Sequence, residues 1–180
     1  MKQEIERKFI LLEEVLNKEL DIYEEVVREK LVRENVFKFT PISQFYLNEK
    51  NETEIRVRRE NNFDFYIQAK SKGDLSRKES ILIPITIEAY EDLQVFRKGN
   101  IVRKIRHHIP YLQYVIEIDI YIERLEGIKI VEVEFSTEEE AAAFKPLSWF
   151  GAEVTKDKRF KNRNLSIISN KKLEELLDEY

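Results

Sequence analysis

An α+β fold dominated by an antiparallel sheet of about eight strands is what this sequence predicts, and three observations carry that prediction. Segments 4–10, 36–47, 53–59, 63–70, 80–85, 101–109, 114–122 and 128–135 alternate apolar and polar residues with the period of two that a strand with one buried face requires. The breaks between them are short: Asn61-Asn62 suits a tight hairpin, and Pro110 to Gln113 turns the chain again, which makes neighbours antiparallel. Helical patterns are fewer.

Segment 14–34 is rich in helix formers, and 87–97 carries apolar residues near three-to-four spacing. Ser136-Thr137-Glu138-Glu139 is a start signal, with a capping hydroxyl and early carboxylates, for a short helix that ends before Pro146. Trp149 and Phe150, just before Gly151, are expected to pack a short helix against the sheet. Segment 170–180 reads as a charged amphipathic helix with a packing role. Nothing between these elements has the length or composition of an interdomain linker, so residues 1–180 are expected to form one domain.

Composition narrows the chemistry. Hydrophobic residues make up 42% and charged residues 37%, well above the roughly 25% charge of an average globular domain. The 31 Lys and Arg nearly balance the 35 Asp and Glu, for a net charge of -4, which argues against a broad basic face for nucleic acid. With no cysteine, disulfides, thiolate nucleophiles and Cys-ligated zinc are excluded. The opening MKQEIERKFILL is charged where a secretory leader needs an apolar run, and no stretch approaches a membrane span, so a cytoplasmic protein without membrane contact is expected. Neither GxxxxGK[ST] nor GxGxxG occurs.

The charge is organised. Residues two apart on a strand share a face, so Glu4, Glu6 and Lys8 point one way and Ile5 and Phe9 the other. Arg56 and Arg58, Lys104 and Arg106, Glu117 and Asp119, and Glu132 and Glu134 repeat the design against apolar neighbours. A solvated face is the ordinary explanation for one such strand. Across five it weakens, because solvated faces mix charges with Ser, Thr, Asn and Gln, whereas these rows are nearly pure in sign. A barrel of about eight strands is just wide enough for a small ligand, and its interior would be lined by these rows while helices cover its outside. Like charges packed inside repel by about 4 kcal/mol per close pair at an effective dielectric near 20. Divalent cations on the carboxylates and a multiply charged anion on the Arg and Lys rows offset that repulsion, and a phosphate chain with Mg²⁺ meets both demands.

Glu4-Ile5-Glu6-Arg7-Lys8 is the ExExK pattern with which the CYTH superfamily, or triphosphate tunnel metalloenzymes, opens. In the same order as that family follow Gln44-Phe45-Tyr46-Leu47, which resembles its QGYL strand, Glu54-Ile55-Arg56-Val57-Arg58, Leu75-Ser76-Arg77-Lys78-Glu79, Lys104-Ile105-Arg106, Glu117-Ile118-Asp119 and Glu132-Val133-Glu134. Segment 151–162 resembles the family's GxEVTxDxRYxN. The resemblance implies a closed eight-stranded antiparallel β-barrel, a tunnel that binds a triphosphate-containing small molecule with Mg²⁺ or Mn²⁺. It implies that Glu4, Glu6, Glu132 and Glu134 hold metal, and that Lys8, Arg56, Arg58, Lys70, Lys104 and Arg106, with Arg77 and Lys158 or Arg159, grip phosphates. Glu79, Glu117 and Asp119, with Glu134, complete the acidic, catalytic side. Two positions depart from the pattern: Ile81 stands where an acidic residue is expected, and Phe45 replaces the QGYL glycine. Segment 13–36 is longer than in compact relatives and is a candidate cover for a tunnel mouth.

Cleaving a phosphoanhydride needs charge neutralisation and a positioned water more than a protein nucleophile. Inorganic tripolyphosphate leads as the expected substrate, since the strand before Arg56 is of the QFYL type of bacterial relatives. A class IV adenylate cyclase acting on ATP and a non-catalytic polyphosphate or nucleotide receptor are the rival readings. His107 and His108 are adjacent, hence on opposite strand faces, and cannot form one metal pair.

Overall fold

The computed structural model describes residues 3–14, 38–48, 53–71 and 76–180; within these, the side chains of residues 3, 4, 53, 70, 71 and 76–81 fall outside the description, and the helix expected over 14–34 and the cover expected over 13–36 lie outside the described residues from residue 15 onward. Nine strands, β1 (Gln3–Leu11), β2 (Lys38–Tyr46), β3 (Thr53–Glu60), β4 (Asp64–Ser71), β5 (Ser76–Pro84), β6 (Val102–Tyr111), β7 (Tyr114–Tyr121), β8 (Lys129–Phe135) and β9 (Phe150–Glu153), form one antiparallel sheet. Their order is β5-β4-β3-β2-β6-β7-β8-β1-β9, and β5 also pairs with β1, Glu4 facing Arg77. Among the described residues four helices accompany it: α1 (Ile87–Leu93), α2 (Glu138–Ala143), α3 (Asn162–Leu165) and α4 (Asn170–Asp178). Among the described residues no helix is long and apolar enough to cross a membrane.

The local signals act as the sequence suggests. Asn61 and Asn62 have φ of 50° and 66°, the left-handed conformation that a two-residue hairpin turn demands and that Asn tolerates. Thr137 caps α2 by accepting the Glu140 N–H at 3.1 Å, and the Glu140 carboxylate reaches back to accept the Ser136 N–H at 3.0 Å, one residue before the cap.

Register aligns the charged rows on one face. Glu6 and Lys8 of β1 sit opposite Glu134 and Glu132 of β8, Glu132 opposite Glu117 of β7, and Asp119 opposite Arg106 of β6. Gln44 of β2 lies between Val102 of β6 and Arg58 of β3, and Arg56 opposite Gln68 of β4. The other face carries the apolar partners. Ile5, Phe9, Ile116, Ile118, Val131, Val133 and Phe135 pack with Ala141 of α2 and with Phe144, Trp149 and Phe150. Phe45 and Val57 pack under Tyr90 of α1, the Phe45 and Tyr90 rings 5.4 Å apart and edge-on. Phe45, in the place of the QGYL glycine, is thus a fully buried outer-face residue.

Three expectations are corrected. Residues 150–153 add a strand, β9, to the eight expected; they pair with β1, Leu11 opposite Phe150 and Phe9 opposite Glu153, and four residues are too few to show a period, while Trp149 and Phe150 pack with Ala141 of the short helix α2 as expected. β5 begins at Ser76, and its register shifts between Ala69 and Lys70, so Ile81 lies opposite Ala69 while Glu79 lies opposite Lys70. Finally, of the described helices α1 and α2 pack on the outer face, and α3 and α4 do not. Leu165 of α3 and Leu173 and Leu176 of α4, with Phe160, pack against Val102, Tyr121, Ile130 and Ile10, residues that share a face with Lys104, Asp119, Glu132 and Lys8. The carboxy-terminal segment therefore caps one end of the charged face with an apolar cluster.

Leu165 is the centre of that cap and is fully buried. Leu165→Ala is expected to cost about 2–5 kcal/mol in urea unfolding, whereas Ile167→Ala, at an exposed neighbouring position, changes stability by less than about 0.5 kcal/mol. Equal effects at the two positions would disprove the cap.

Candidate functional site

The charged face lines one cavity. Lys8, Arg56, Arg58, Lys104, Arg106 and Lys161 supply cations to its wall, Glu6, Glu54, Glu132 and Glu134 supply carboxylates, and Gln44, Tyr46, Gln68 and Asn162 are neutral. The strands contribute through their alternate positions, and the carboxy-terminal segment enters at the capped end. There the Tyr121 hydroxyl donates to Asn162 Oδ1 at 2.5 Å, and the Arg163 guanidinium lies 5.1 Å from the centre of the Tyr46 ring.

Arg106 organises the interior. Its Nε and Nη2 donate to the two oxygens of Asp119, each at 2.7 Å, Nη2 also reaches Glu132 at 2.6 Å, and Nη1 pairs with Glu117. Lys104 pairs with Asp119 and Lys8 with Glu132, while Lys8 lies 3.4 Å from Glu6. Asp119 and Lys104 are 0% and 1% exposed, so this is a buried network. Buried ions are tolerated only when such pairing is nearly complete.

Ionisation follows from these contacts. Burial alone would raise the Glu132 carboxyl, but Lys8 and Arg106 hold it well below the usual carboxylate range. Asp119 is likewise lowered, because Arg106 and Lys104 outweigh its burial. Burial depresses the Lys104 ammonium to about 8, with Arg106 adding to the shift and Asp119 opposing it. Glu117 goes the other way: burial pushes its carboxyl up to about 7, and Arg106 only partly offsets that burial and the nearby carboxylates. Arg58 is lowered by burial and by Arg56, and its ion pair with Glu60 at 2.9 Å gives partial relief. Arg56 donates to Gln68 Oε1 at 2.6 Å.

The expected site residues sort accordingly. Lys8, Arg56, Arg58, Lys104 and Arg106, with Glu6, Glu132 and Glu134, come together around the cavity. Glu117 and Asp119 stand behind this wall, held by Arg106. Glu4, Lys70, Arg77 and Glu79 take strand positions whose side chains lie outside the described residues. Lys158 and Arg159 do not line the cavity. Arg159 is exposed and bound to Asp157 and Glu179, because the short turn around Phe160 directs these residues outward when the Phe160 ring is buried. Lys161 takes the place expected for them.

Gln44, Tyr46, Gln68, Glu54 and Asn162 line the cavity without having been singled out. Gln44 and Tyr46 carry a legible signal, because they are spaced like Arg56 and Arg58 and directly face them in register. Lys161 and Asn162 carry none, since a segment of mixed turns has no period from which to read a facing side.

Oxygen donors on the acidic wall suit a hard divalent cation. Among the described residues no three His, Cys, Asp or Glu side chains converge on one point. Glu6 and Glu134, directly opposite on neighbouring strands, are nevertheless a like-charged pair that a cation would relieve. Glu132 is committed to Lys8 and Arg106.

No family model matches the chain. It is 38% identical over 130 residues to an inorganic triphosphatase of Nitrosomonas europaea, a match that covers 71% of this chain and 84% of that protein. It is 30% identical over 166 residues to an inorganic triphosphatase of Acetivibrio thermocellus, covering 92% and 94%. Its fold superposes on the crystal structure of an inorganic triphosphatase with a TM-score of 0.62 at 28% identity, covering 94% of this chain and 97% of that one.

Two outcomes follow from the network. Arg106→Met strips Asp119 and Glu132 of a buried counter-ion and is expected to cost about 3–5 kcal/mol in urea unfolding; a loss below about 1 kcal/mol would mean the network is not what holds these carboxylates. For Glu117, the folded pKa of about 7 lies above the ordinary 4.5. The folded state therefore keeps a proton that the unfolded chain releases, and this contribution is complete below the ordinary value and lost as pH rises through about 7. Glu117→Gln, neutral throughout, is expected to gain stability relative to the parent between about pH 5 and about pH 8, measured with EDTA. A pH-independent difference would refute the assignment.

Proposed function

The chain belongs to the CYTH superfamily of triphosphate tunnel metalloenzymes, and from that premise we propose that it hydrolyses the phosphoanhydride bond of a triphosphate, with inorganic tripolyphosphate the leading substrate. The observation that carries this reading is the distribution of charge around one cavity: Arg56 and Arg58 on β3, Glu6 and Glu134 on the paired strands β1 and β8, and the Lys8, Arg106 and Glu132 network on β1, β6 and β8, with Lys161 also reaching the cavity. The pairing of β5 with β1 and the contribution of β1, β2, β3, β4, β6 and β8 to that cavity support closure of the sheet into a tunnel of eight strands, with β9 attached outside.

A triphosphate chain inserts with its oxygens against Lys8, Arg56, Arg58 and Lys161, and Lys104 and Arg106 add positive potential from beneath. Because Asp119 fixes both of the latter, it acts as a positioning residue. These groups neutralise charge on the transferring phosphoryl without having to reorganise, which is where most of the barrier to phosphoryl transfer is lowered. Glu6 and Glu134, with Glu4, would hold Mg²⁺ or Mn²⁺, which when bound neutralises phosphate charge and polarises the bridging oxygens. Glu117, behind the wall, pairs with Arg106 and so acts with Asp119 as a positioning residue for that guanidinium.

Phosphate release from tripolyphosphate and from ATP, each with Mg²⁺, Mn²⁺ or EDTA, tests the proposal. Tripolyphosphate is expected to be cleaved only with metal, and Arg56→Ala to lose about a hundredfold in kcat/KM. Cyclic AMP and pyrophosphate formed from ATP would make the protein a cyclase, and binding without turnover would make it a receptor.

A further inference from the structure

Gln44 is fully buried, yet it lines the cavity. Its Nε2 donates to the Tyr46 hydroxyl at 3.1 Å, and its Oε1 has no partner. On the strand beside it, directly opposite in register, stands Arg58, whose Nε is also buried without a partner. Opposite residues of an antiparallel pair have Cβ atoms roughly 5 Å apart, so the two unmet polar groups stand on neighbouring strands of the wall, without hydrogen-bonding each other. An unmet buried group costs about 1–3 kcal/mol, and both call for a partner from outside this pair of residues.

The amide oxygen and nitrogen of Gln are interchangeable by rotation about its last bond. With the amide turned, the Tyr46 hydroxyl donates to Oε1, and Nε2 faces the cavity beside Arg58 Nε as a second donor. A hydroxyl serves either orientation, whereas an anion selects the one that offers it N–H groups. We infer that Gln44 is a substrate-binding residue: its amide, set by the Tyr46 hydroxyl, joins Arg58 Nε–H in a two-donor subsite for one phosphate oxygen. Tyr46 acts as the positioning residue, and its ring is itself held by the Arg163 guanidinium. A neutral donor among the cations adds direction without adding charge to a wall where Arg56 already depresses Arg58.

This inference rests on the phosphate-binding reading above, and the two are separable by experiment. Binding is measured as the rise in Tm with tripolyphosphate under EDTA, and turnover by phosphate release with Mg²⁺. Gln44→Leu, of similar volume and unable to donate, is expected to raise KM for tripolyphosphate about tenfold with kcat within about twofold, and to lose most of the Tm rise. Gln44→Glu, which puts a carboxylate at the subsite, is expected to lose more than Gln44→Leu. Tyr46→Phe, which frees the amide, falls between the parent and Gln44→Leu. A folded Gln44→Leu protein with the parent's KM and Tm rise would overturn the inference and leave an ordered water as the partner of Oε1. If Gln44→Leu does not fold, Gln44→Glu decides by the same two readouts, parent-like values again overturning the inference. A parent chain that binds tripolyphosphate without cleaving it counts against the hydrolase reading alone, since Gln44 is still judged by the Tm rise.

Discussion

The bidentate pair between Arg106 and Asp119 is the contact on which the interior depends. It lies where β6 and β7 face each other, and from it Arg106 reaches Glu132 on β8 and Glu117 on β7. Glu132 in turn holds Lys8 of β1, and Asp119 holds Lys104. Four strands are thereby tied through charge on the face where a protein of this size would ordinarily place Leu and Val. Taking these groups out of water costs several kcal/mol per ion, which the pairs only just repay. Stability must come from the opposite face, and the aromatic and β-branched cluster around Phe9, Val131 and Val133 provides it.

Strand β1 joins the two economies. Its outward Arg7 donates to the Ala141 and Phe144 carbonyls at the end of α2, at 2.9 and 3.0 Å, and to Glu153 of β9. A cation at a helix carboxy-terminus satisfies carbonyls that the helix itself leaves open. Next to it, the Lys8 N–H donates to Thr155 Oγ1 at 3.0 Å, and the Val154 N–H donates to the Lys8 carbonyl at 2.8 Å. The backbone of the one residue that points its ammonium at Glu132 is thus held through both its N–H and its carbonyl by the carboxy-terminal segment. The same segment fills one end of the charged face through Phe160 and Leu165 and brings Lys161 to the cavity.

The neutral residues of the wall have their own logic. A cavity built only of cations and carboxylates would collapse into ion pairs, as Arg106 and its partners do. Gln44, Tyr46 and Gln68 stand between Arg56 and Arg58 and the acidic strands: Arg56 donates to Gln68, Gln44 turns to Tyr46, and Arg58 pairs with Glu60 of its own strand. Both guanidinium groups are thus less heavily committed than that of Arg106, which binds three carboxylates.

The alternation in 4–10, 53–59, 101–109, 114–122 and 128–135 by itself determined the strands, the face each residue takes and the sorting of charge by sign, because a period of two survives whatever a strand pairs with. It made Lys8, Arg56, Arg58, Lys104, Arg106, Glu6, Glu132 and Glu134 legible as one set. Only the tertiary structure decided which of these ions bind one another and which face the cavity, since that depends on register between strands distant in sequence. It alone decided that 150–153 adds a strand to β1 and that Lys161, not Lys158 or Arg159, reaches the cavity. Those segments are too short for a period, and their facing is set by where Phe150, Phe160 and Leu165 find apolar surface to bury.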